Sequence, residues 1–255
     1  MERKNRIWTV SSKGGVGTST ICVNLARAFA AAGQRVLLVD LDTTSPSLDV
    51  LLGVDNAVYD VRDALLGRMS IKDAAVRLPS SPNMYLLCGT LDPAGDLPLT
   101  KLDSALCQAE KDLGISVVLL DTHSPGRYAK TIASIVSHTV LVTEPLPLPL
   151  YAAEKCGVFM REIDAPNLKM VVNRYDFTAK PVSLCSMIDQ VGVPLLGVIA
   201  KDEDMAQAQL HGKMAKEGAS HNTVCGFRNI AHRLFGQHCP LFSGFKKFDR
   251  KKFIG

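Results

Sequence analysis

A short apolar run, a glycine-rich loop and a helical stretch follow one another at the start of the chain, and this succession constrains the fold most. Residues 6–11 (RIWTVS) are apolar and β-branched. Lys13, Gly14, Gly15, Val16 and Gly17 come next. Residues 18–32 (TSTICVNLARAFAAA) then place Ile21, Leu25 and Phe29 on one helical stripe, with Gly33 just past the end. Three glycines let consecutive backbone N–H groups turn inward around an anion, and the helix behind them adds the positive end of its dipole. The phosphate-holding pattern G-x-x-x-x-G-K-[ST] has its lysine directly after the last glycine. Here Thr18 and Ser19 follow Gly17, so the hydroxyl is present and that lysine is not. Lys13 stands at the front of the loop instead.

Strand-like runs alternate with helical stretches through most of the chain. Strands are predicted at residues 7–11, 35–40, 84–88, 116–121, 139–143, 169–173 and 195–200. Helices are predicted at 18–32, 101–113, 128–137, 150–163, 183–191 and 223–235. The strands are mostly continuous apolar runs, as expected when helices cover both sheet faces. This is an α/β chain with a doubly wound, mainly parallel sheet of about seven strands, and ligands are expected at the carboxyl ends of those strands.

At 255 residues and 47% hydrophobic content, with no Pro/Gly/Ser-rich linker, one compact domain is expected over residues 1–240, followed by a tail at 241–255. No apolar run reaches 18 residues, so no helix long enough to span a membrane is expected. The first residues run directly into the first strand, which argues against a signal peptide. The seven cysteines form no C-x-x-C pair and read as reduced core residues of a cytoplasmic protein, not as metal ligands.

Three carboxylates sit where a phosphate site would need them. The run 35–42 (RVLLVDLD) ends an apolar strand with Asp40 and Asp42, two residues apart and so on one side of an extended chain. The run 116–121 (SVVLLD) ends another strand with Asp121. Such carboxylates can hold Mg²⁺ through its waters or orient an attacking water. The alternative is that Asp40 and Asp42 only cap the turn that follows.

The tail carries a second signal. Residues 241–255 (LFSGFKKFDRKKFIG) hold Lys246, Lys247, Arg250, Lys251 and Lys252 against the single Asp249. That surplus equals the whole chain's formal net charge of +4. On a helical wheel Leu241, Phe242, Phe245, Phe248 and Phe253 fall within an arc of about 140°. A basic amphipathic segment with aromatic anchors suits an anionic membrane interface, though a solvated basic terminus is the plain alternative. With no basic surplus outside the tail, the composition argues against nucleic acid as a partner.

On these residues the chain resembles the MinD/ParA family of deviant Walker A ATPases, and within it the MinD branch. KGGVG at 13–17 is similar to that family's loop, whose front lysine is its signature. VLLVDLD followed by PSLDVLLG resembles its first switch region, and VVNR at 171–174 and PLLGVIA at 194–200 continue the likeness. The resemblance implies an ATP site with Mg²⁺. Gly14, Gly15, Val16, Gly17, Thr18, Ser19 and Thr20 would surround the phosphates, and Asn173 would contact adenine. Ser19, Asp40 and Asp121 would hold the metal, and Asp42 would position the hydrolytic water. Lys13 would reach the partner's phosphates across a nucleotide-sandwich homodimer. The tail resembles the family's C-terminal membrane-targeting helix. The implied function is ATP-switched positioning at the inner face of the cell membrane, in division-site selection or polar placement, with an activating or recruited protein as a further partner.

Three departures bear on catalysis. Thr18 removes one charge-assisted phosphate contact of roughly 1.5–3 kcal/mol. The second switch, running from Asp121 to Gly126, is one residue longer than usual. Ala200 stands where many relatives have proline. The loop also resembles those of the TadZ/CpaE pilus-positioning branch, which implies a non-hydrolysing scaffold as the alternative, with a ParA-like DNA-binding role third. ATP binding with slow, Mg²⁺-dependent turnover is the expectation.

Overall fold

The computed structural model of the chain describes residues 5–11, 13–91, 97–179, 182–205 and 221–241. The expected membrane residues Phe242, Phe245, Lys246, Lys247, Phe248, Arg250, Lys251, Lys252 and Phe253 lie outside the described residues. Among the described residues, eight strands form one sheet: β1 (Arg6–Val10), β2 (Val36–Asp40), β3 (Val76–Arg77), β4 (Met84–Leu87), β5 (Val117–Thr122), β6 (His138–Thr143), β7 (Leu168–Tyr175) and β8 (Leu195–Ala200). Their order is β3-β4-β2-β5-β1-β6-β7-β8, parallel throughout except for the antiparallel β3–β4 pair. The seven expected strands are all present. The eighth, β3, is two residues long at the sheet edge, too short to show any periodicity.

Alternation along β1 assigns the two faces. Ile7 joins one core with Ile21, Leu25 and Phe29 of α1 (Thr18–Ala31). That face also receives α2 (Leu48–Leu52) and α9 (His221–Leu234), and the Phe29 and Phe235 ring centroids lie 4.9 Å apart. Trp8 points the other way and is fully buried. Its core holds residues of α3 (Val61–Leu66), α4 (Ile71–Ala74), α5 (Leu102–Asp112), α6 (Ala129–Ile135), α7 (Pro147–Glu162) and α8 (Leu184–Val191). Burying each large apolar side chain contributes about 1.5–3 kcal/mol, and both faces are covered, which is why the strands read as unbroken apolar runs. Helices α2, α3 and α4 are only four to six residues long and carry too little periodicity to be seen in sequence.

One charged cluster ties the far end of the sheet. The buried Arg6, at the start of β1, donates from Nε to Glu110 Oε1 at 2.7 Å and also bonds Asp103 on α5. A buried guanidinium is tolerated only when so paired. Of the seven cysteines, Cys22, Cys88, Cys156 and Cys225 are buried. Cys185 is exposed on α8, against the expectation of a core residue.

Candidate functional site

The site forms where β1, β2 and β5 end. Parallel register sets Thr9 beside Asp121 and Asp40 beside Asp121, so a hydroxyl and two carboxylates make one row across three adjacent strands. Both aspartates are 1% exposed. Burial pushes Asp121 up to about 7, with the charge of Asp40 adding to the rise and hydrogen bonds from Ser19 and Thr9 opposing it. Burial likewise pushes Asp40 up to about 6, against three backbone N–H donors from Leu48, Ser47 and Asp42. Two desolvated carboxylates side by side are held at a cost that a divalent cation bound by them would lower.

The glycine loop leads into the first turn of α1, whose Ser19 hydrogen-bonds Asp121 of this row. Gly15 and Gly17 have φ of 84° and 86°, a left-handed backbone that glycine adopts without strain. A Cβ on Gly17 would lie 2.5 Å from Asn173 Nδ2, so that position has no room for a side chain. Gly17 is also the N-cap of α1 and supplies no side-chain cap, leaving the first-turn N–H groups for an anion. Ser11 Oγ donates to the carbonyl of His123 at 2.9 Å, joining the loop to the segment after β5.

From α1, the Ser19 hydroxyl reaches Asp121 and accepts a hydrogen bond from Ser47 Oγ at 3.1 Å. Ser47 is itself held by its N–H on Asp40 Oδ2 at 2.9 Å. Ser19, Asp40 and Asp121 therefore lie together, with Ser47 beside them, a residue the sequence reading does not name. Its only signal was a hydroxyl residue in the run that follows the strand. An all-oxygen set of this kind fits Mg²⁺, which binds through one or two carboxylates and keeps most of its waters.

Asp42 departs from its expected setting. The chain leaves the strand at Asp40, and the Asp42 N–H turns back to Asp40 Oδ1 at 3.0 Å, so the two are not alternate residues of an extended run. Asp42 Oδ1 accepts from Thr44 N, Thr44 Oγ1 and Ser45 N at 2.9, 2.6 and 3.1 Å. This is the turn-capping arrangement weighed from sequence, and it holds for both aspartates alongside the cluster. A cavity of about 270 Å³ opens between this turn and the 122–128 segment, lined by Asp42, Thr44, His123 and Gly126 among others.

Lys13 and Gly14 are exposed at the front of the loop, Val16 is buried beneath it, and Thr18 and Thr20 are buried in the first turn of α1. Asn173, at the end of β7, is 1% exposed and donates from Nδ2 to the Val16 carbonyl at 2.9 Å. Its Oδ1 is buried, with no donor among the described residues. An orphaned acceptor of this kind fits the exocyclic amine of an adenine. Beside it, at the ends of β6, β7 and β8, lies a cavity of about 540 Å³ lined by Glu144, Arg174, Asp176, Val182 and Lys201 among others.

Comparison with known proteins agrees with this geometry. The CobQ/CobB/MinD/ParA nucleotide binding domain matches residues 7–215. The septum site-determining protein MinD of Bacillus subtilis is 26% identical over 239 residues, covering 91% of this chain and 89% of that protein. A putative MinD of Chlorella vulgaris is 30% identical over 241 residues, covering 89% and 83%. The MinD of Pyrococcus horikoshii, solved with Mg-ADP, superposes with a TM-score of 0.77 at 26% identity, over 90% of this chain and 95% of that one. The MinC:MinD complex of Aquifex aeolicus shares the fold, with a TM-score of 0.82 at 23% identity over 93% and 98%. With the loop, the paired carboxylates and the sheet order all in place, the chain belongs to the MinD/ParA family of P-loop nucleotide-binding proteins.

Proposed function

We propose that this protein is an ATP-binding positioning ATPase of the MinD type, which pairs into a nucleotide-sandwich homodimer and attaches to anionic membrane through residues 241–255. Its role is division-site selection or polar placement at the inner membrane face, together with an activating or recruited protein. The observation that carries the reading is the cluster of Ser19, Asp121 and Asp40 at the start of a helix whose glycine N-cap supplies no side-chain cap. Mg²⁺ bound there supplies positive charge to the phosphates. Gly14 to Gly17 offer their N–H groups to the phosphates, while Thr18 and Thr20 complete the first helical turn. Asn173 accepts from adenine, and Lys13 is exposed and able to reach a second copy.

In hydrolysis, Asp42 would orient the attacking water. Its Oδ1 already serves three donors of its own turn, which leaves Oδ2 for that work and favours slow turnover. The same observation, with Thr18 in the lysine position, keeps a non-hydrolysing scaffold of the TadZ/CpaE kind as the second reading. Pairing would present two tails at once and raise membrane avidity without new contacts.

Calorimetric titration of the full chain with Mg-ATP and Mg-ADP tests the nucleotide part. Micromolar binding with preference for ATP is expected, and no binding of either would overturn it. Flotation with phosphatidylglycerol-containing vesicles tests the tail. Removing residues 241–255 should abolish ATP-dependent flotation and leave the titration unchanged. Undiminished flotation would overturn the membrane assignment.

A further inference from the structure

The loop lacks its lysine, yet a cation from β7, two strands across the sheet from β1, lies against it. Arg174 Nη1 donates to the Gly15 carbonyl at 2.8 Å, and its Nη2 comes within 3.8 Å of the Cβ position of Gly17. The backbone is built to place it there. Consecutive residues of a regular strand point to opposite faces, but Asn173 and Arg174 both bond the glycine loop, at the successive carbonyls of Val16 and Gly15. A register irregularity between Val172 and Tyr175 accompanies this, and Arg174 takes φ of 53°. A non-glycine residue in that region is strained, and bulges of this kind re-aim side chains beside functional sites. The same guanidinium pairs with Glu144, which follows β6 and is mostly buried while the arginine is half-exposed.

We propose that Arg174 is a positioning residue for the phosphate cradle: it braces the loop through Gly15 and supplies the positive charge that Thr18 does not. Glu144 holds the guanidinium and masks part of its charge until a phosphate competes for it. Arginine suits this because its planar fork can keep the carbonyl bond while presenting further N–H donors. The inference rests on the nucleotide-binding reading above and deepens it.

Isothermal titration with Mg-ATP at low and high salt tests it on the full-length wild type, Arg174→Ala, Arg174→Lys, Glu144→Gln and the double variant Arg174→Ala/Thr18→Lys. Arg174→Ala should weaken binding at least tenfold and flatten its salt dependence, since a screened attraction has been removed. Arg174→Lys should recover part of the loss, and Thr18→Lys most of it. Glu144→Gln keeps the arginine in place and unmasks it, so affinity should rise severalfold, a change that a purely structural clamp does not produce. Thermal melting accompanies each titration. If Arg174→Ala fails to fold, Glu144→Gln carries the test alone. Unchanged affinity in Arg174→Ala, or unchanged or weakened binding in Glu144→Gln, overturns this inference while leaving the nucleotide site standing. A wild type that binds no nucleotide overturns both.

Discussion

Replacing Asp121 by asparagine should stabilise the nucleotide-free protein at neutral pH, by an amount that follows from the site. Asp121 and Asp40 are each 1% exposed and adjacent across β2 and β5. Burial first, and the Asp40 charge second, raise Asp121 from an ordinary 3.8 to about 7. A carboxyl with a folded pKa above its unfolded value binds its proton more tightly in the folded chain. Its contribution to stability is therefore complete below about pH 4, is lost as pH rises through about 7, and stays lost above that. At about 1.4 kcal/mol per pH unit, ionised Asp121 costs about 4 kcal/mol at pH 8 relative to a neutral residue of the same shape. Asparagine is that residue: it keeps an oxygen for the Thr9 and Ser19 hydroxyls and cannot ionise. Urea unfolding of both proteins without Mg²⁺ should show the variant ahead by about 4 kcal/mol at pH 8 and by about 2 kcal/mol at pH 5. Saturating Mg-ATP should narrow the gap, because a ligand that binds only the folded wild-type site stabilises it by mass action. A variant no more stable than wild type at pH 8, with no pH-dependent difference, would refute the claim that this pair is held at a cost.

Two further expectations concern the loop and the opposite end of the sheet. Gly17→Ala combines a left-handed φ of 86° with a Cβ 2.5 Å from Asn173 Nδ2. It should lower stability by about 1–3 kcal/mol in a thermal melt and abolish nucleotide binding in titration. Full stability with full binding would mean the loop shifts freely. Glu110→Ala leaves Arg6 buried with Asp103 as its one carboxylate among the described residues, and should cost about 3–5 kcal/mol by urea unfolding while the nucleotide affinity of the folded protein stays unchanged. A loss below about 1 kcal/mol would show that Asp103 and Cys107 suffice to hold the guanidinium.

The strand–loop–helix start, the apolar strands and the ends of those strands at Asp40 and Asp121 were legible in the chain because they are local. Each depends on residues within about a dozen positions and on periodicities set by backbone geometry. The absence of a lysine at Thr18 is likewise visible in a single line of residues. The short helices α2, α3 and α4 and the two-residue β3 were not legible, because elements of this length are stabilised by what they pack against and not by their own pattern. The site itself became definite only in three dimensions. Parallel register makes Asp40 and Asp121, 81 positions apart in the chain, neighbours on adjoining strands, and their mutual burial sets their proton affinities. The turn after β2 delivers Ser47 to Ser19 and commits Asp42 Oδ1 to its own loop. Where the register of β7 shifts, Arg174 bonds Gly15 across 159 positions of sequence. Residue types and their spacing along the chain mark out the candidates for a phosphate and a metal. Which of these stand side by side, and that Arg174 lies against the loop, follows from the packed fold, because long-range pairing and desolvation have no local signature.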